Sequence, residues 1–360
     1  MTLRTAELNK DSKYNKFARK SGLKTAFLLY DFNMFNKDEK LGVFIVPTGI
    51  GASVGGYAGD AAAVAREFSK YCRLIVNPNV VNAGGFSGIN DKMLYVEGFS
   101  LDEFVKGNIN LKEASQPNKI GIVFDKAIPQ DVLNVHINTM NAVKTVYGID
   151  ILGYEITREN IGVEFEMNDS GVSYGSVTNP KTMLYSSESL INKGCNAIAL
   201  VGMFKDPEGM NEDYANGIGT DPVGGVEAIL SHYVSKYLNV PCAHSPAFED
   251  YQIYSDVVNP KSASEYITPT FLPCILLGLS QAPQLTNSGG VSNKDIDFLI
   301  VPYNSLGSPA VFAAINNGIK IFAVRENKTA LDITAEKLGI EKYIYVVDTY
   351  KDCIDIIKKS

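Results

Sequence analysis

The chain's first clear pattern is a continuous apolar run, Leu41-Gly-Val-Phe-Ile-Val-Pro47, with no polar position to mark a solvent face. Such a run predicts a strand buried on both sides. A glycine-rich turn over 48–59 follows, then a helix over 60–71 and a strand over 73–77. The alternation recurs as a strand over 119–125, a helix from Gln130 to Tyr147 set between Pro129 and Gly148, and a strand over 151–157. A helix around 183–192 precedes a strand over 197–201, and a helix over 224–237 feeds a short strand around Val240. At the C-terminal end, strands over 297–301, 319–324 and 343–347 alternate with helices. The first helix there is capped by Ser308, begins at Pro309 and is ended by Gly318; the others cover 330–338 and 351–358. This alternation predicts an α/β fold: multi-lobed, Rossmann-like parallel sheets with helices on both faces.

Residues 1–40 are polar and basic ahead of a short apolar patch and are expected to form an N-terminal extension. Soft divisions near 150 and 265 separate three parts. Residues 41–150 form a lobe with the glycine-rich loop, 151–265 a lobe with a His/Cys motif, and 266–360 a βαβαβα segment completing the sheets. The Pro-, Ser- and Asn-rich stretches 113–118, 167–180, 205–220 and 281–293 are expected to be loops.

Composition narrows the function classes. Apolar residues are 45% and charged residues 20% of the 360, enough for a full core. A net charge of -7 argues against nucleic acid, which needs a basic surface. No apolar run reaches the roughly 18 residues of a membrane span. The N-terminal stretch mixes Glu7 and Asp11 among its basic residues, so neither a secretory signal nor a transit peptide is expected. Five cysteines without a C-x-x-C pair point to reduced thiols and a cytoplasmic protein. Low net charge and several lobes are compatible with a homodimer.

Ligands of open α/β sheets gather at the carboxyl ends of strands, so the residues after each strand are the candidates. In the first loop Gly49, Gly51, Gly55 and Gly56 allow close backbone approach, and Thr48 and Ser53 add hydroxyls. The following helix would turn its N–H groups toward an anion. The loop departs from a dinucleotide fingerprint at Val54, and the chain has no Gly-Lys pair for a phosphate P-loop. Asn77, Asn79 and Asn82 follow the second strand and offer neutral donors and acceptors. The richest stretch holds Asp221, Gly224, Gly225, His232, Cys242 and His244. There His244 suits a general acid or base, with Asp60, Asp221, His232 or Cys242 as partners. The same His and Cys side chains can ligate a transition metal, but no dense ligand spacing is present; no metal is expected and the cofactor is left unassigned. Ser308 and Arg325 complete the candidates, Arg325 as a bidentate partner for an anion. Gly171-Val-Ser-Tyr-Gly175 matches G-x-S-x-G but reads as loop, which excludes a nucleophile elbow.

Pro47-Thr-Gly-Ile-Gly-Ala, Gly56-Tyr-Ala-Gly-Asp60, Asn77-Pro-Asn-Val, Tyr95-Val-Glu-Gly98, Asp221-Pro-Val-Gly-Gly-Val-Glu227, Pro241-Cys-Ala-His-Ser-Pro246 and Phe271-Leu-Pro273 resemble domain-of-unknown-function family 3326 of bacteria and photosynthetic lineages. The resemblance runs from about residue 41 onward and implies no established activity. Asn77 stands where the family resemblance leads one to expect Thr-His before Pro-Asn. A more distant similarity is to the aspartate/glutamate racemase group, whose two α/β halves each bring a thiol to a cleft; no cysteine pair is identifiable for it here. The expected function is acid/base chemistry on a small anionic metabolite, carboxylate or phosphorylated, in an inter-lobe cleft, as an isomerase, lyase or hydrolase. The alternatives are a non-catalytic small-molecule-binding or regulatory protein, and a transferase using a phosphorylated or nucleotide substrate.

Overall fold

A computed structural model describes residues 39–205 and 214–359. Nearly all of the expected N-terminal extension, and the middle of the 205–220 stretch, lie outside the described residues. The elements in chain order are β1 (Leu41–Phe44), α1 (Ala62–Phe68), β2 (Arg73–Val76), α2 (Pro78–Val81), β3 (Asn82–Ala83), β4 (Phe86–Ser87), β5 (Met93–Tyr95), α3 (Gly98–Lys106), β6 (Asn110–Lys112), β7 (Ile120–Phe124), α4 (Gln130–Tyr147) and β8 (Ile151–Ile156). They continue as β9 (Val163–Met167), β10 (Ser173–Val177), α5 (Pro180–Asn192), β11 (Ala197–Met203), α6 (Gly224–Leu238), β12 (Cys242–Ala247), α7 (Ala263–Tyr266) and α8 (Leu272–Gln281). The last are β13 (Gln284–Thr286), β14 (Phe298–Pro302), α9 (Pro309–Asn316), β15 (Lys320–Val324), α10 (Ala335–Leu338), β16 (Ile344–Val347) and α11 (Tyr350–Lys359).

The protein is an α/β structure with two parallel sheets. Six strands run in the order β16-β15-β14-β1-β2-β5, and four in the order β12-β11-β7-β8. The apolar run at Leu41 becomes β1, paired with β14 on one side and β2 on the other, and all four of its residues are buried. Helix α8 lies between the sheets. Its sequence is apolar nearly all round, as a helix buried on every side requires. Ile275, Leu276 and Leu279 join one core with Phe44 and Val76 of the larger sheet and Ile122, Phe124 and Ala199 of the smaller. The far face of the larger sheet is covered by α3 and α9 through Leu101, Phe104, Val311 and Ala314. The far face of the smaller is covered by α5 and α6 through Leu190, Val226, Leu230 and Val234. Strands pass from one sheet to the other between Tyr95 and Ile120, ahead of the division expected near 150.

Segments that differ from the sequence pattern include the following. Residues 167–180, expected as loop, contain β10, which pairs antiparallel with β9. Asn168 closes the turn, its side chain accepting from the Ser170 and Val172 amides. The helix expected over 330–338 is confined to Ala335–Leu338, where the Thr334 hydroxyl accepts from the Lys337 amide. Upstream, Ile333 exchanges backbone hydrogen bonds with the 304–306 loop, which holds it extended. The strand expected around Val240 begins at Cys242 and runs to Ala247, beside β11.

Candidate functional site

The carboxyl ends of both sheets open onto one cavity of about 700 Å³. This is where open α/β sheets place ligands, and the volume suits a small molecule. The larger sheet contributes Thr48 after β1, Asn77, Asn79 and Asn82 after β2, and Ser308 after β14. The smaller contributes Asp221 and Gly225 at the start of α6, and His244 on β12. Gly56 and His232 also line it.

Three amides of the glycine loop are taken by the chain's own carboxyl groups. Asp60 accepts from the Gly55 and Tyr57 amides, and Glu265 accepts from the Ala58 amide. The helix starts follow the same rule. Asp221 accepts from the Val223 and Gly224 amides at the start of α6. Glu97 accepts from the Phe99 and Ser100 amides at the start of α3, at 2.7 and 3.0 Å. Asp102 accepts from the Ala310 amide of α9, whose N-cap is Ser308. The starts of α3, α6 and α9 thus already hold a protein acceptor. The asparagines are also engaged: Asn77 bonds both the amide and the carbonyl of Val46, Asn79 donates to the Gly55 carbonyl at 2.6 Å, and Asn82 accepts from the Tyr95 hydroxyl.

Other predicted residues lie elsewhere. Gly49 packs on the backbone of Gly225, and Gly51 on the Thr220 hydroxyl. Gly224 packs between the Thr48 hydroxyl and the Asp221 carboxyl, and Gly55 against Val46. The Ser53 hydroxyl donates to the Lys328 carbonyl. Cys242 sits at the amino end of β12, away from the main cavity, in a small void shared with Glu97. Burial, then the Glu97 charge, pushes its thiol well above the ordinary range, away from the thiolate form a nucleophile needs. Arg325 follows β15, pairs with Asp348 at 3.5 Å and lies over the Tyr303 ring, outside the cavity. Ser173 of the G-x-S-x-G match is buried and donates to the Pro222 carbonyl, with a strand after it rather than a helix.

The electrostatics come from Asp60 and Asp221 together with acids that do not follow a strand in the sequence pattern. Asp102, Asp221, Glu227, Asp250 and Glu265 line the cavity, and among the described residues no lysine or arginine does. Burial, then the Asp221 charge, pushes Glu265 up to about 8, against the pull of the Ala58 amide and Tyr214 hydroxyl. Burial pushes Asp221 up to about 6, while the Val223 and Gly224 amides pull it down. Asp60 and Asp102 also reach about 6, again chiefly through burial. Glu227 is raised well above the carboxylate range by burial and by Asp221 and Glu265. It is only 8% exposed, and its Oε1 has no hydrogen-bond partner.

His244 takes the opposite direction. Burial, then the His232 charge, lowers it to about 3, so its ring is neutral near pH 7. Its Nδ1 lies 2.8 Å from the Ser231 hydroxyl. His232 Nε2 lies 3.1 Å from Glu97 Oε1. Among the described residues no group of three His, Cys, Asp or Glu is arranged to hold a metal ion, and no helix is long and apolar enough to cross a membrane.

Residues 41–359 match the family described as "Protein of unknown function (DUF3326)". The chain belongs to this family. An uncharacterised lipoprotein of Synechococcus sp. is 36% identical over 306 residues, covering 83% of this chain and 85% of that protein. No solved structure matches the chain. The likeness to the racemase group gains nothing from the site: Cys274 is the one thiol lining the cavity among the described residues, and burial pushes it up to about 12.

Proposed function

We propose that this DUF3326 protein is an enzyme that binds a small metabolite in the cavity and moves protons with buried carboxyl groups, as an isomerase, lyase or hydrolase. The observation that carries this reading is the pair Asp221 and Glu265. Near pH 7 a carboxyl raised to about 6 is largely ionised, whereas one raised to about 8 keeps its proton. Neighbouring acids pushed to opposite sides of neutrality supply a base and an acid at once. His244 moves from the acid/base role expected of it to a neutral, oriented ring: a group lowered to about 3 is a weak base and an empty proton donor. If the Ser231 hydroxyl donates to Nδ1, Nε2 carries the proton and serves as a hydrogen-bond donor.

The lining argues against the phosphorylated, carboxylate or nucleotide substrates expected from the glycine loop. Three of its amides hold Asp60 and Glu265, and no lysine or arginine among the described residues lines the cavity. We also place the protein in the cytoplasm, on the ground that all five cysteines are free and buried.

The test has two stages. Thermal unfolding against amines, polyols, carboxylates and phosphates finds the stabilising class; a ligand at about 100 times its Kd adds about 2.7 kcal/mol. Turnover of the stabilising compound is then followed by NMR. Asp221→Asn and Glu265→Gln are each expected to lower it roughly 10²- to 10⁴-fold. A bound compound turned over equally by both variants removes the acid/base reading.

A further inference from the structure

We infer that the ligand of this cavity carries an ammonium group, seated against the Glu227 carboxyl and faced by the rings of Tyr214, Tyr254 and Tyr266. The inference rests on the proposal that the cavity binds a small metabolite, and adds the chemistry of the group it recognises.

Glu227 carries the argument. It sits on the inward side of α6 with Val226 and Leu230 packed into the core, is nine-tenths buried, lines the cavity, and leaves its Oε1, an atom closed to solvent, without a hydrogen-bond partner. A buried polar atom without a partner is uncommon and marks a place where a donor belongs. The surroundings set the sign of that donor. Asp221 and Glu265 both act on Glu227, and Asp102 and Asp250 share the cavity. Among the described residues the cationic candidates lining the cavity are only His232 and His244, and His244 is neutral near pH 7. An anion would meet five carboxyl groups and no lysine or arginine among the described residues; an ammonium would favour the ionised form of acids that burial and one another's charge keep protonated.

The aromatic lining fits the same ligand. Tyr214 stacks on Tyr57 with centroids 4.6 Å apart, and Tyr254 meets Tyr266 edge-on at 5.3 Å. Tyr214, Tyr254 and Tyr266 line the cavity. Aromatic faces attract ammonium groups, most strongly where water is excluded. Carboxyl groups beside tyrosine rings form a site for an amine or quaternary ammonium, and offer little to a phosphate.

Isothermal titration of the full chain at pH 7 tests this with putrescine and choline against their neutral isosteres 1,4-butanediol and 3,3-dimethylbutanol, and against acetate and phosphate. Each is run in two buffers of different ionisation enthalpy. At least one amine is expected to bind ten-fold or more tighter than its isostere. Binding should release a proton, because the Glu227 carboxylic acid becomes the carboxylate paired with the ammonium while buffer takes the proton. Glu227→Gln should weaken the amine ten-fold or more and abolish the release. A diol or alcohol binding as tightly as its amine, or acetate or phosphate binding in preference, overturns the inference yet leaves a small-molecule cavity standing. Undiminished binding and proton release in Glu227→Gln also overturns it. Absence of binding by both amines overturns it, and if the thermal panel is equally silent the cavity reading falls as well. The amine–isostere comparison uses the wild-type chain, so it stands even where the variant does not fold.

Discussion

Gly49 and Gly225 touch through their backbones: a Cβ on Gly49 would lie 2.7 Å from the Gly225 nitrogen. A Cβ on Gly225 would lie 2.1 Å from the Ser173 carbonyl oxygen. The glycine loop, the start of α6 and β10 therefore meet at main-chain distance. At these two positions the chain's own close approach requires glycine.

This contact ranks the glycine substitutions. Gly225→Ala meets a carbonyl that cannot swing aside, and is expected to cost about 3 kcal/mol or to prevent folding. Gly51→Ala meets the Thr220 hydroxyl at 2.4 Å, which can rotate, and adopts a φ of +58° that disfavours alanine by about 1 kcal/mol. Urea unfolding of the two variants checks the order. Equal stability losses would mean that the backbone contact does not limit the site.

Glu97 joins two roles. It caps α3 through two amides and holds His232 at 3.1 Å. Glu97→Ala removes both and is expected to cost about 1–2 kcal/mol, since the cap amides lose their acceptor. Gly98→Ala places a Cβ 2.8 Å from His232 Nε2, a half-exposed ring free to turn away. It should leave the cap intact, cost less than about 1 kcal/mol, and shift the His232 ring resonances. Unchanged resonances in Gly98→Ala would show that the two side chains do not hold each other.

The fold was legible where one signal dominated. The apolar run of β1 and the Pro129 and Gly148 brackets of α4 each determine a boundary locally. The β9–β10 hairpin was not, because its short Glu-Phe-Glu and Ser-Tyr-Gly alternations are flanked by Asn, Asp and Gly that read as loop. Asp221 and His244 were found because they sit near strand ends. Arg325 met the same criterion, yet β15 lies two strands from β1, away from the junction of the sheets. Cys242 shares the parity of His244 along β12 but sits at its amino end. Glu227 did leave a signal, an acid on the helix stripe that also carries Leu230, Ser231 and Val234. Glu265 left none: its burial is set by Ala58 and Tyr214, which are remote in sequence.

Arg325→Ala supplies the contrast. The side chain is half-exposed, its pair with Asp348 is a surface one, and neither residue lines the cavity. Stability is expected to change by less than about 0.5 kcal/mol, and the affinity of any cavity ligand not at all. A ligand lost on Arg325→Ala would move the binding site to the carboxyl end of β15.

The buried carboxyl groups make stability fall as the solution turns alkaline. Glu265 goes from an ordinary 4.5 to about 8 in the fold, so its contribution is whole below about 4.5 and is lost as pH rises through 8. Asp60, Asp102 and Asp221, raised to about 6, have finished this loss by about pH 7. His244 runs the other way: lowered from 6.5 to about 3, its contribution is whole above 6.5 and fades only as pH falls toward 3. Above pH 7 the slope therefore belongs mainly to Glu265 and Glu227. The melting temperature is expected to drop by a few degrees between pH 7 and 8.5, and Glu265→Gln, which mimics the protonated acid, should flatten the drop. Circular-dichroism melts across that window decide the matter. A melting temperature that rises with pH, or a Glu265→Gln variant with the wild-type slope, would mean that Glu265 is ionised in the folded protein near neutrality and is not the proton donor of the site.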